Sequence, residues 1–144
     1  MEWIKDNYRI STDKSRLDIP FIHDFISHSY WAEQIPVDTM KKAIEGSLCF
    51  GVYEGDQQVG FARMVTDSAT FAYLADVFID EAYRGRGLSK WLVEVILSHP
   101  QLQGLRRMIL ATRDAHGLYA KFGFTPLNMP DRMMQIHNPN VYKS

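Results

Sequence analysis

The chain has 144 residues, 46% of them hydrophobic, with 16 Lys and Arg against 17 Asp and Glu. That length suits one domain over residues 1–144, and a formal net charge of −1 leaves no global field to attract nucleic acid or an anionic membrane. The single cysteine, Cys49, excludes an intramolecular disulfide, and the lack of a secretory pattern or of a run near the ~20 apolar residues of a bilayer span points to a cytoplasmic protein.

In chain order, Tyr8, Arg9, Ile10 and Ser11 alternate and predict a first strand. A helix is expected to open near Asp18, Ile19 and Pro20, because proline suits a first turn, and to end near Ser29 with Ile22, Phe25 and Ile26 facing inward. The following loop, residues 30–36, carries Tyr30 and Trp31, two large aromatics that no periodicity explains. Either they cap the core or they border a binding site. A short helix over residues 36–44 places Val37, Met40 and Ile44 on one side and stops at Gly46. Residues 48–54 and 58–66, joined by Gly55, Asp56 and Gln57, read as a hairpin. Cys49 lies inside its first strand with no basic neighbour, which predicts a buried, inert thiol.

Residues 71–79 form an apolar run interrupted by Asp76, a carboxylate that is costly there unless paired or facing a wet cleft. Arg84, Gly85, Arg86, Gly87, Leu88, Ser89 and Lys90 follow, and Leu88, Trp91, Leu92, Val95 and Ile96 then recur at helical spacing. Strand, glycine turn and helix in this order make an anion seat, since glycine permits φ > 0 and the helix opens on unpaired N–H groups at its positive end. The glycine spacing fits neither a P-loop nor a dinucleotide-binding turn. Beyond the helix end near His99 and Pro100, residues 108–111 predict a strand and a helix runs through Tyr119 to a stop at Gly123. Phe124 and Thr125, with residues 133–136, are expected to supply closing strands. The alternation implies an α/β (α+β) domain with a mixed sheet. Five histidines without metal-ligand spacing predict no metal site.

Two motifs carry a family resemblance. Arg84, Gly87 and Ser89 occupy the three specified positions of motif A of the GCN5-related N-acetyltransferases, Q/R-x-x-G-x-G/A, with Ser where Gly or Ala is usual. Ala115, Leu118, Tyr119, Lys121, Gly123 and Phe124 fit motif B, and Thr112 stands where many members have Asn. Over residues 71–124 the chain therefore resembles the GNAT superfamily.

The resemblance implies a mixed central sheet with flanking helices and a splay between the fourth and fifth predicted strands. It implies acetyl-CoA as cosubstrate, no metal, and direct transfer of the acetyl group to a primary amine on a small molecule or peptide, by a monomer or homodimer. A CoA-binding sensor without turnover is the alternative. In the enzyme reading Arg84, Gly85, Arg86, Gly87, Leu88, Ser89 and Lys90 grip the pyrophosphate. The backbones of Val77 and Ile79 pair with pantetheine and donate to the thioester oxygen, Phe78 points elsewhere by alternation, and Thr112 bonds pantetheine or a backbone group. Tyr119 protonates the leaving thiolate, because a phenol of pKa near 10 stays protonated where a thiol of about 8.5 ionises. Asp76, Glu33 or a water chain takes the amine proton, or Asp76 holds the amine as a cation, with Tyr30 and Trp31 shaping the acceptor site.

Overall fold

Hairpins laid edge to edge build most of the sheet in the computed structural model, which describes residues 1–143. Strands β1 (Glu2–Lys5), β2 (Tyr8–Ser11), β3 (Leu48–Glu54), β4 (Gln57–Thr66) and β5 (Phe71–Ile79) pair antiparallel in sequence order. β6 (Arg107–Leu110) then joins β5 in parallel. A parallel neighbour requires a crossover, and helix α3 (Leu88–Ser98) supplies it. β1 has no sequence signature, since Trp3 is its only partly buried residue. Pairing of Trp3 with Ile10 sets its register, and the indole lies 6.4 Å from the Phe50 ring and 5.9 Å from His99.

Alternation along the strands sorts the core into two clusters. Phe50, Val52, Ala62, Met64 and Leu74 face one way and meet Leu92, Val93 and Ile96 of α3. Cys49, Phe61 and Phe78 face the other way, against Ile22 and Ile26 of α1 (Ile19–Ile26) and Met40 and Ile44 of α2 (Val37–Glu45). Asp18 opens α1 by accepting the Phe21 N–H at 3.1 Å. The Cys49 thiol is 1% exposed and pushed up to about 11, chiefly by burial, so it stays neutral and inert. No helix among the described residues is long and apolar enough to cross a membrane.

Beyond β6 the chain departs from expectation. α4 (His116–Ala120) is a single short helix, and Gly123, at φ 93°, turns the chain after it. Neither of the expected closing strands forms, for residues 124–125 and 133–136 pair with nothing. The physical reason is a gap. Residues 124–128 run beside β6 but stand off it, separated by cavities of about 490 and 690 Å³. β6 thus ends the sheet with its outer edge open, and the tail lies on the surface until Tyr142 touches the second cluster.

Candidate active site

β5 and β6 share a ladder only from Phe71 opposite Arg107 to Leu74 opposite Leu110. Past Leu74 the strands separate, which is the splay expected between the fourth and fifth predicted strands. On its other side β5 still pairs with β4, but two residues, Asp76 and Val77, oppose Ala62. This bulge changes the side-chain parity of the strand. Ala72 and Leu74 belong to the α3 cluster, and so do Val77 and Ile79 after the bulge, whereas Phe78 stacks on Phe25 at 3.9 Å in the α1 cluster.

Asp76 makes the bulge with φ 54°, a left-handed conformation that Asp tolerates better than most side chains. Both its oxygens are engaged. Arg63 Nε donates to Oδ2 at 2.8 Å and Trp31 Nε1 donates to Oδ1 at 2.8 Å. The Arg63 and Asp76 side chains are 18% and 11% exposed, and Arg63 also donates to Ser47 Oγ at 3.1 Å. One carboxylate therefore ties the loop between α1 and α2 to the point where β5 bends.

That loop is fixed from within by Gln34 N–H donating to Ser27 O and Ala32 N–H donating to Ser29 Oγ. Tyr30 packs edge-on against Trp31 at 5.1 Å, and the Arg113 guanidinium lies 4.0 Å above the Tyr30 ring. The Tyr30 and Arg113 contact crosses the mouth of the splay. A cavity of about 430 Å³ lies within it, lined by Tyr30, Trp31, Asp76, Thr112, Arg113 and Tyr119 among others. The Tyr119 ring is 8% exposed and meets Phe124 edge-on at 5.7 Å, while its hydroxyl makes no hydrogen bond among the described residues. Burial raises its pKa, and the nearby Tyr30 adds to the effect. Thr112 Oγ1 accepts the Ala115 N–H at 3.0 Å, which leaves its own proton to donate.

A second groove, of about 860 Å³, runs from the splay past Val77, Phe78 and Ile79 to Arg84 and Ser89. β6 does not reach this length of β5, so the groove meets backbone that lacks a ladder partner on that side. At its far end Gly85 and Gly87 take φ 79° and 78°, and Gly87 caps α3 in the left-handed region without any side-chain cap. A Cβ at either glycine would meet nothing within 4 Å, so the space before the helix is open. The N–H groups of Leu88, Ser89 and Lys90 point into it, by the geometry of a first helical turn. Open space, a positive helix end and glycine backbone fit a diphosphate.

The basic side chains of the turn diverge. Arg84 lines the groove and donates from Nε to Ile79 O at 3.1 Å. Arg86 instead donates to Tyr8 Oη at 2.7 Å and lies 5.0 Å over the Tyr83 ring, and Lys90 is exposed. Glu33 and His116 do not line the 430 Å³ cavity. Two of its lining residues, Tyr73 and Arg113, escaped sequence reasoning, and so did the pairing of Arg63 with Asp76. For Arg63 a signal existed, a charge inside an apolar strand next to the strand that holds Asp76. No cluster of three potential metal ligands occurs among the described residues.

Comparison with known proteins gives a consistent pattern. The model of the acetyltransferase (GNAT) family matches residues 14–124. A protein of Gibberella zeae assigned as an acetyltransferase is 33% identical over 142 residues, covering 83% of this chain and 79% of that one. The peptidyl-lysine N-acetyltransferase YjaB of Salmonella typhimurium is 32% identical over 112 residues, covering 76% of this chain and 70% of that one. Among solved structures, one from Xanthomonas campestris pv. campestris, assigned to the GNAT family, superposes with a TM-score of 0.93 at 50% identity, covering 95% of this chain and 97% of that one.

Proposed function

Since the chain belongs to the GNAT acetyltransferase family, we propose that it is an N-acetyltransferase that moves the acetyl group of acetyl-CoA directly to a primary amine. The observation that carries this reading is the meeting of two spaces at the splay, a groove along bare β5 backbone and a cavity lined by Tyr119.

The first-turn N–H groups of α3 and the Arg84 guanidinium take the diphosphate, and the backbones of Val77 and Ile79 align the pantetheine arm as an added strand would. That arm delivers the thioester to Tyr119. The amine enters past Tyr30 and Trp31 as free base, having lost its proton to water. Its nitrogen bonds to the thioester carbon, the tetrahedral adduct loses the surplus nitrogen proton to water, which later returns a proton to Tyr119, and the carbon–sulfur bond breaks as the carbonyl re-forms. The Tyr119 hydroxyl gives its proton to the departing thiolate, and burial suits it to that task by keeping the phenol protonated well above neutrality. Asp76 serves as a positioning residue: with both oxygens already accepting hydrogen bonds, it holds Trp31 over the cavity and keeps the bulge in place.

Small-molecule and peptide amines both fit a site open on one side, and the peptidyl-lysine activity named for the Salmonella relative supports including the latter. The test is an amine panel with acetyl-CoA, read as free thiol, containing polyamines, amino acids and lysine peptides. At least one amine should raise thiol release well above the hydrolytic background. A folded protein that shifts its melting point with NAD or ATP but neither binds nor consumes acetyl-CoA would overturn the proposal.

A further inference from the structure

We propose that Arg113 selects the acceptor by binding the carboxylate of a free amino acid, whose amine is then the group acetylated. This rests on the acetyl-transfer reading of the site and names the substrate class within it.

Three lining residues of the 430 Å³ cavity carry a formal charge: Asp76, Arg113 and Asp114. Asp76 is already compensated, since Arg63 and Trp31 donate to its two oxygens. Arg113 and Asp114 are exposed, and among the described residues neither side chain makes a hydrogen bond or an ion pair, with the other or with any third group. The other arginines of the site are engaged, Arg63 with Asp76 and Arg84 with Ile79 O. The mouth of the cavity thus holds one uncommitted cation and one uncommitted anion, the complement of a zwitterion.

The cation is also seated in advance. At 4.0 Å from the ring centroid, the Arg113 guanidinium carbon rests on the face of Tyr30, which covers one side of the group and leaves the N–H donors at its rim unused. Tyr30 is itself braced edge-on by Trp31, Trp31 is bonded to Asp76, and Asp76 is anchored by the part-buried Arg63. A planar fork of donors held in this way matches a carboxylate with two parallel hydrogen bonds, which an ammonium group cannot do.

The cosubstrate has no use for this charge. Its diphosphate belongs at Arg84 and Gly87, the far end of the 860 Å³ groove, and the pantetheine arm that reaches the splay is uncharged. A carboxylate on the acceptor is the partner left for Arg113, while Asp114, next in the chain, steadies the ammonium before it sheds its proton. About 430 Å³ is the scale of a small molecule, and Tyr30, Trp31 and Tyr73 offer aromatic surface to an amino-acid side chain. A lysine within a peptide carries no carboxylate beside its amine, which makes it the poorer acceptor.

The test compares thiol release from acetyl-CoA across the common amino acids, each paired with its amide. The best acids should exceed their amides in kcat/KM by about 10- to 100-fold, as a charge-assisted bidentate contact allows. Arg113→Gln, at an exposed position, should erase that ratio without changing acetyl-CoA affinity or the melting point, and Arg113→Lys should restore part of it. Calorimetry on protein loaded with CoA, where no transfer can occur, reads the same selection as binding. Amino acids that bind there through Arg113 while no amine releases thiol would uphold this proposal and sink the transfer reading. Amides that match their acids, a ratio unmoved by Arg113→Gln, or a fall in acetyl-CoA affinity in that variant overturns the proposal and leaves the transfer reading standing. Amino acids that fail to bind overturn it too, whatever other amines release thiol.

Discussion

At Asp76 the backbone holds a conformation that costs an ordinary L-residue about 1–2 kcal/mol, and two hydrogen bonds hold it there. Asp76→Ala removes both and leaves Arg63, 18% exposed, without its counter-charge. The expected loss is about 2–4 kcal/mol in a denaturant melt. Asp76→Asn keeps an acceptor and tolerates positive φ, so it should lose less. Trp31→Phe removes the indole N–H that Asp76 accepts and shrinks the ring beside Tyr30, and amine kinetics should change while acetyl-CoA affinity does not. If donor affinity falls as far as amine turnover, Trp31 belongs to the donor site instead. The sequence marks Asp76, since a carboxylate in an apolar strand is conspicuous. It conceals Arg63 as the partner, because pairing them requires the register of β4 against β5 and the bulge within it.

Among the elements, the strand, turn and helix around Gly87 were legible because glycine at positive φ, arginine and helical periodicity each leave a local signature. Hairpin β3–β4 and helices α1 and α2 were legible for the same reason. β1 was not, since only its pairing with β2 makes four mostly polar residues a strand. Residues 133–136 have the composition of a strand, but pairing depends on an edge that composition cannot locate. Gly87→Glu tests the turn. At φ 78° any side chain is strained by about 1 kcal/mol, and a carboxylate there repels a diphosphate. Acetyl-CoA at about 100 times its dissociation constant should stabilise wild type by roughly 2.7 kcal/mol. Differential scanning fluorimetry should show that upward shift in wild type and none in Gly87→Glu. An equal shift in both places the anion elsewhere.

Across the whole molecule the buried ionisable groups prefer their neutral forms. Burial pushes Cys49 up from 9.0 to about 11 and Tyr53 up from 10.0 to about 12, and raises Tyr119 as well. A raised folded-state pKa means that the unfolded chain releases these protons first. Their contribution is fully present below about pH 9 and is lost as pH rises through the folded values, so the melting temperature should fall steadily from about pH 9 to 12. Tyr53→Phe loses the bond to Arg16 O, lowering stability at neutral pH while flattening the alkaline slope. A slope unchanged by that substitution would show that Tyr53 does not carry the effect.

Whether the molecule is an enzyme or only a CoA-binding module turns on the phenol at the meeting of groove and cavity. The most direct measurement pairs steady-state turnover with the acetyl-CoA dissociation constant for Tyr119→Phe, its fold checked by melting. The account predicts turnover lower by about 10² to 10⁴, roughly 3 to 5 kcal/mol of barrier, with donor affinity nearly unchanged. Turnover within threefold of wild type, with chemistry rate-limiting, would contradict it.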